Sequence, residues 1–305
     1  MLSVGSLCTG YGGLEMGLQA VYGDIDLRFV SDIDKDVSTL LAHHHPNVPN
    51  LGDLTVVDWA DIEPVDVLCA GYPCQPFSQA GQRKGLEDER AIFEYIADAI
   101  SVLRPTNVLL ENVAGHLTLG GTTVIATLTR LGYDAKWGIV RASDAGAPHQ
   151  RKRIFIWANN GNAKKRYAGN TQQQPMGKTT RSTAEFRKPN SEITTDSDST
   201  RLQRLRRECE LAEDSGQKRF AWRDYEPAIR RWQTVMGTPV PHPAHKKGVN
   251  TVFVEWLMGL PEGYVTDIGL SRKAQLKILG NGVVPQQAAL ALQLLAEGGY
   301  YAKTA

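Results

Sequence analysis

Cysteine is scarce in this chain and has no metal-binding pattern. Cys8, Cys69, Cys74 and Cys209 form no CxxC pair, and none stands at ligand spacing with a histidine. That argues against a structural zinc site and against a disulfide framework, and predicts reduced thiols. The run His43, His44 and His45 does not supply a metal site either. Adjacent helical residues point about 100° apart, and no acidic or cysteine partner sits at chelating spacing. The three histidines read as a helix end before Pro46. Long apolar runs are also missing. The opening MLSVGSLCTGYGG has no basic leader, and its apolar stretch is too short for a signal peptide or a membrane span, so a cytoplasmic protein without a membrane partner is expected.

Net charge is nearly absent as well, at +1 over 305 residues, but the balance is uneven along the chain. Residues 159–247 hold 18 Lys and Arg against 10 Asp and Glu, a net +8, while the remainder holds 16 against 23, a net −7. Such segregation is what a segment facing a polyanion would carry, and a solvated basic face gives the same count. The length allows about two domain-sized units and a large core.

The most informative stretch is AGYPCQPFSQAGQRKGL, residues 70–86. The apolar run VDVLCA before it has the length and character of a buried strand, which Gly71 and Pro73 end abruptly. Cys74 therefore stands at a strand's carboxyl end, where open α/β sheets place their ligands, and is read as a nucleophile. The competing reading is a loop cysteine without a role. The residues after it are polar and punctuated by Gly81 and Gly85, with Arg83 and Lys84 between them, which suits a loop closing over an anionic substrate.

The same logic applies to the rest of the chain. A strand at residues 2–7 runs into CTGYGGLEMGL, whose Gly10, Gly12 and Gly13 allow close approach of a ligand to the backbone and to a helix N-terminus. The spacing departs from G-x-G-x-x-G, so a nicotinamide cofactor is disfavoured. Asp32 follows a second strand at residues 27–30, about 20 residues after the glycines, where a ribose hydroxyl pair is held; a helix N-cap is the alternative. Asp53 is placed to accept from an adenine amino group, or else is an ordinary turn residue. A helix over 91–103 leads to a strand over 107–110 that ends in Glu111-Asn112-Val113, and burial there would raise the Glu111 pKa enough for it to donate a proton. A helix over 122–131 and strands over 133–141 and 154–158 follow. Arg151 and Arg153 alternate in strand register and would share one face, with a solvated edge strand as the plain reading.

CTGYGG, SDID, GD, GYPCQPFSQAG, ENV, PHQRKR and a late ILGNGVVP stand in an order and approximate spacing that resembles the DNA (cytosine-5)-methyltransferase family. The resemblance covers nearly the whole chain outside residues 159–247. It implies an α/β, Rossmann-like S-adenosylmethionine-dependent methyltransferase fold with a small inserted target-recognition domain. Residues 1–158 would form the cofactor-binding and catalytic domain. Residues 159–247 would be the partly flexible recognition region, and 248–305 would return to complete the catalytic domain.

The resemblance also implies the chemistry. S-adenosylmethionine is the expected methyl donor, held by Gly10, Gly12, Gly13, Asp32, Asp53 and Asn281, the last from the late GN motif. Cys74 would add to carbon 6 of a flipped-out cytosine, Glu111 would act at ring nitrogen 3, and Arg153 would contact the base carbonyl. The expected partner is double-stranded DNA, met by a monomer. Cys8 stands where the family has phenylalanine, Asp32 where it has glutamate, and His149 where it has glutamine. An RNA cytosine-5 methyltransferase and an inactive DNA-binding module are the alternatives, the second disfavoured because Cys74, Glu111 and Arg153 are all present. Within the basic region, RLQRLRRECEL at 201–211 has the pattern of a helix able to track phosphates, or to pack with a solvated face.

Overall fold

The computed structural model describes residues 1–73, 86–161, 220–245 and 248–296. Near-continuous apolar runs such as VLCAG and NVLLENV give strands buried on both faces, as parallel strands covered by helices must be. The central sheet has six strands: β1 (Leu2–Leu7), β2 (Ile25–Ser31), β3 (Val67–Gly71), β4 (Asn107–Val113), β5 (Tyr133–Val140) and β6 (Arg153–Asn160). Their order is β2-β1-β3-β4-β6-β5. The first four run parallel, and β6 lies antiparallel to both β4 and β5. β6 is thus interior, which rules out the alternative of a solvated edge strand. Its burial comes from pairing on both sides, which its own residues do not announce.

One face of the sheet is covered by α3 (Leu86–Leu103) and α4 (Thr122–Arg130), which bury Phe93, Ile96, Ile100 and Leu128. The other face receives α1 (Gly13–Tyr22) and, from the far end of the chain, α8 (Pro285–Ala296). The close approach of these two helices depends on glycine. A Cβ at Gly17 would lie 2.6 Å from that of Ala288, well inside contact distance. α2 (Lys35–His44) follows β2 and is capped by Asp34, which accepts from the backbone of Asp36 and Val37. It ends at the histidine run, as expected, with His45 as its C-cap.

α5 (Glu226–Met236) lies in the basic stretch and turns Ile229 and Trp232 inward. Trp232 is fully buried and donates from Nε1 to the carbonyl of Trp256, 2.9 Å away in α6 (Thr251–Leu257). α7 (Arg272–Asn281) then leads to the turn before α8. The 201–211 helix expectation lies outside the described residues.

Candidate functional site

The carboxyl ends of β1, β2, β3 and β4 open onto one cleft of about 670 Å³. Its upper wall is the turn between β1 and α1, where Cys8, Gly10 and Gly12 have φ of 51°, 58° and 86°. Nothing lies within 4 Å of where a Gly10 Cβ would be, so the backbone there borders open room. Cys8 lines the cleft as a thiol, because burial and then the Asp32 charge push its pKa up to about 12.

Asp32 is not the cap of α2. The cap of α2 is Asp34, while Asp32 accepts from the Gly10 amide at 2.9 Å and from the Asp34 amide at 3.0 Å. Burial raises its pKa, against the pull of those two amides. Asp53 also borders the cleft and accepts from the Thr55 amide at 2.9 Å, an Asx turn that lowers its pKa.

Asn281, Gly282 and Val283 reach the cleft from the end of α7. They are held there by two long-range fastenings. Tyr11 donates from its hydroxyl to the Val283 carbonyl at 2.8 Å, and Arg151 donates to the carbonyls of Gly280 and Gly282 at 2.8 and 2.6 Å. The space at this junction is closed, since a Cβ on Gly282 would lie 1.8 Å from the Tyr11 ring.

Glu111 and Arg153 meet on the opposite wall. Register places Glu111 beside Gly71 on β3 and beside Phe155 on β6, so the start of β6 lies over the end of β4. Nε of Arg153 is 2.9 Å from Oε1 of Glu111. Burial raises the Glu111 pKa to about 7, with Arg153 and then Arg151 pulling the other way. Arg151 does not share a strand face with Arg153. It precedes β6 with φ of 39°, and its guanidinium goes to the α7 turn instead. This corrects the expectation drawn from alternation, which holds only inside a strand.

Cys74 lies outside the described residues, as do Arg83 and Lys84. Tyr72 and Pro73, immediately before it, line the cleft. Asn112 ties the ends of β3 and β4 together by donating to the Tyr72 carbonyl at 3.2 Å, and the Tyr72 hydroxyl pairs with His116 Nε2 at 2.9 Å. His149 takes no part in the cleft; its Nε2 pairs with the Leu257 carbonyl at 2.9 Å. Among the described residues no cluster suited to a metal ion is found, and no helix is long and apolar enough to cross a membrane.

Glu15 is a cleft residue that sequence reasoning missed. It sits in the first turn of α1, is 5% exposed, and has Oε1 3.1 Å from the Cys69 sulfur. Burial raises its pKa more than the neighbouring Ser6 and Cys69 lower it. The only signal was an acidic side chain on the apolar face of a helix that begins at the glycine turn.

The described cleft is bordered by Asp32 and Asp53, and presents a buried acid beside a guanidinium. A family model described as C-5 cytosine-specific DNA methylase matches residues 2–294. Type II methyltransferase M.NlaX of Neisseria lactamica is 37% identical over 162 residues, covering 51% of each chain. Type II methyltransferase M.BsuFI of Bacillus subtilis is 36% identical over 157 residues, 49% of this chain and 37% of that one. The chain spans about half the length of the curated relatives it matches. Among solved structures, S. pombe Dnmt2 methyltransferase superposes with a TM-score of 0.62 over 97% of this chain and 99% of that one, at 17% identity. A putative DNA modification methyltransferase encoded within an E. coli prophage gives 0.61 at 18% identity, covering 98% and 100%. These likenesses establish the Rossmann-like α/β fold.

Proposed function

The chain belongs to the C-5 cytosine-specific DNA methylase family, and from that membership and the cleft we propose that it transfers a methyl group from S-adenosylmethionine to carbon 5 of a cytosine in double-stranded DNA. The names of its relatives, type II methyltransferases, support a modification enzyme of a restriction-modification system. The single observation that carries the reading is the buried Glu111 carboxyl, paired to Arg153 at 2.9 Å in the same cleft as the glycine turn and Asp32, where burial raises its pKa.

The residues present fit the donor. Gly10 leaves open room at the backbone, whereas Gly13 packs on the Val283 carbonyl, 2.0 Å from where a Cβ would stand; Asp32 would hold the ribose hydroxyls, Asp53 the adenine amino group, and Asn281 would border the donor. S-adenosylmethionine supplies, when bound, an electrophilic methyl group on a sulfonium, which carbon 5 takes up once the ring has been activated.

Activation falls to this chain's own residues. The Cys74 thiolate adds to carbon 6, forming a carbon–sulfur bond, while the displaced ring electrons are accommodated by a proton that Glu111 delivers to nitrogen 3. Arg153 holds Glu111 in place and reaches the base carbonyl. After methylation a base removes the proton on carbon 5, the thiolate leaves carbon 6, and nitrogen 3 returns its proton to Glu111. A stacked base cannot enter such a cleft, so the cytosine turns out of the duplex, at a cost of about a few kcal/mol. Residues 159–247 carry the target recognition in this reading, by virtue of their basic excess.

Incubation with S-adenosylmethionine and duplex DNA, followed by bisulfite sequencing, tests the reading. Protection of cytosines within one short sequence is expected. Methyl transfer to RNA but not to duplex DNA would reassign the substrate, and transfer to neither would overturn the activity.

A further inference from the structure

We propose that Glu15 accepts the α-ammonium group of the donor's methionyl portion, and so discriminates donors that carry an intact amino acid. The proposal rests on reading the cleft as the S-adenosylmethionine site.

Glu15 occupies the third position of α1, where a glutamate ordinarily reaches back to the N-cap amide. Here that amide is already used, since Gly12 donates to the Thr9 carbonyl at 3.1 Å. Capping therefore does not explain the buried acid. One carboxyl oxygen, Oε1, meets the Cys69 sulfur, a weak donor. The other, Oε2, is buried without a hydrogen bond of good geometry; the neighbouring Ser6 hydroxyl, likewise without one, lowers the Glu15 pKa by less than burial raises it. Oε2 lies close under the glycine turn, 3.6 Å from where a Gly12 Cβ would stand, and Glu15 borders the cleft. A buried acceptor without a good donor is costly unless a ligand completes it.

The same end of α1 explains which ligand group fits. No side chain caps its N-cap Gly12 among the described residues, and Gly13, Leu14 and Glu15 of its first turn border the cleft. An amino acid carries its carboxylate and ammonium on one carbon. With the carboxylate at the helix end, as anions settle there, the ammonium falls within reach of the first turn, where Glu15 is the carboxylate. A cation also offsets the desolvation that otherwise disfavours the charged Glu15.

Calorimetry on the full chain tests this with three ligands: S-adenosylmethionine, S-adenosylhomocysteine, and 5′-methylthioadenosine, which lacks the amino acid. Glu15→Gln and Glu15→Leu should each weaken the first two alike, by about ten- to a hundredfold for the loss of a charge-assisted bond, and leave the third unchanged. Binding of 5′-methylthioadenosine doubles as the check that the variants fold. Unchanged affinity for the first two would overturn the proposal, and so would equal loss of all three, which would assign Glu15 to the architecture of the turn. A wild-type protein that binds none of them would instead sink the reading of the cleft.

Discussion

Nε of Arg153 donates to Oε1 of Glu111 across 2.9 Å, joining the first residue of β6 to the end of β4. Burial and the guanidinium act on the carboxyl in opposite directions, and burial prevails, leaving a pKa of about 7 against an ordinary 4.5. The carboxyl acts as an acid in the proposed reaction, so the rate should fall as pH rises above about 7, and initial rates across pH measure it. Glu111→Gln should lose at least about a hundredfold in rate and show no such limb. Stability follows the same proton. The folded chain holds it more tightly than the unfolded one, so the contribution is full below 4.5 and is lost as pH rises to about 7. The melting temperature of Glu111→Gln should therefore change less than that of the wild type between those limits.

Asp32 holds the Gly10 and Asp34 amides together. Asp32→Ala leaves both donors without their acceptor and removes the group proposed to hold the ribose. It should lower stability by about 1–3 kcal/mol and weaken S-adenosylmethionine more than DNA. Calorimetry showing intact donor affinity would remove Asp32 from the site.

A target cytosine with fluorine at carbon 5 should accept the methyl group and then have no proton to lose there. The wild-type protein, with donor present, should remain covalently attached and run as a shifted band on a denaturing gel. Cys74→Ser should give no adduct, because a serine hydroxyl is almost wholly protonated near neutral pH. An adduct mapping to Cys8 would contradict the assignment, and is not expected of a thiol whose pKa is pushed up to about 12.

The basic stretch cannot be removed whole to test recognition, because Trp232 within it is buried against α6. Truncating such a side chain alone costs about 3–5 kcal/mol. Replacing only residues 162–219 with a short glycine-serine linker should leave donor binding measurable and abolish sequence-specific DNA binding. Gel-shift assays that still favour the target sequence would place recognition elsewhere.

The strands that build the cleft were legible because their residues are apolar almost without interruption, and the acids at their carboxyl ends followed from that placement. Glu111 and Arg153 were named singly; that they form an ion pair depends on β6 returning antiparallel to β4, which no local pattern encodes. Alternation misplaces Arg151 because it stands two residues before β6 and itself has a positive φ. Only its burial and the spent Gly12 amide set Glu15 apart from an ordinary first-turn acid, and neither is written in the local sequence. Asn281 came from a motif, and its seat depends on bonds to Tyr11 and Arg151 that span most of the chain.

The fastening of Tyr11 to Val283 also sets a schedule for synthesis. The two residues are 272 positions apart, and a ribosome adding about 5–20 residues per second makes the second roughly tens of seconds after the first. During that interval the glycine turn lacks its opposite wall and Tyr11 its hydrogen-bond acceptor. A nascent chain can pair β1 with β2 and β3, and β3 with β4, early, but the proposed donor pocket is completed only near the end of translation.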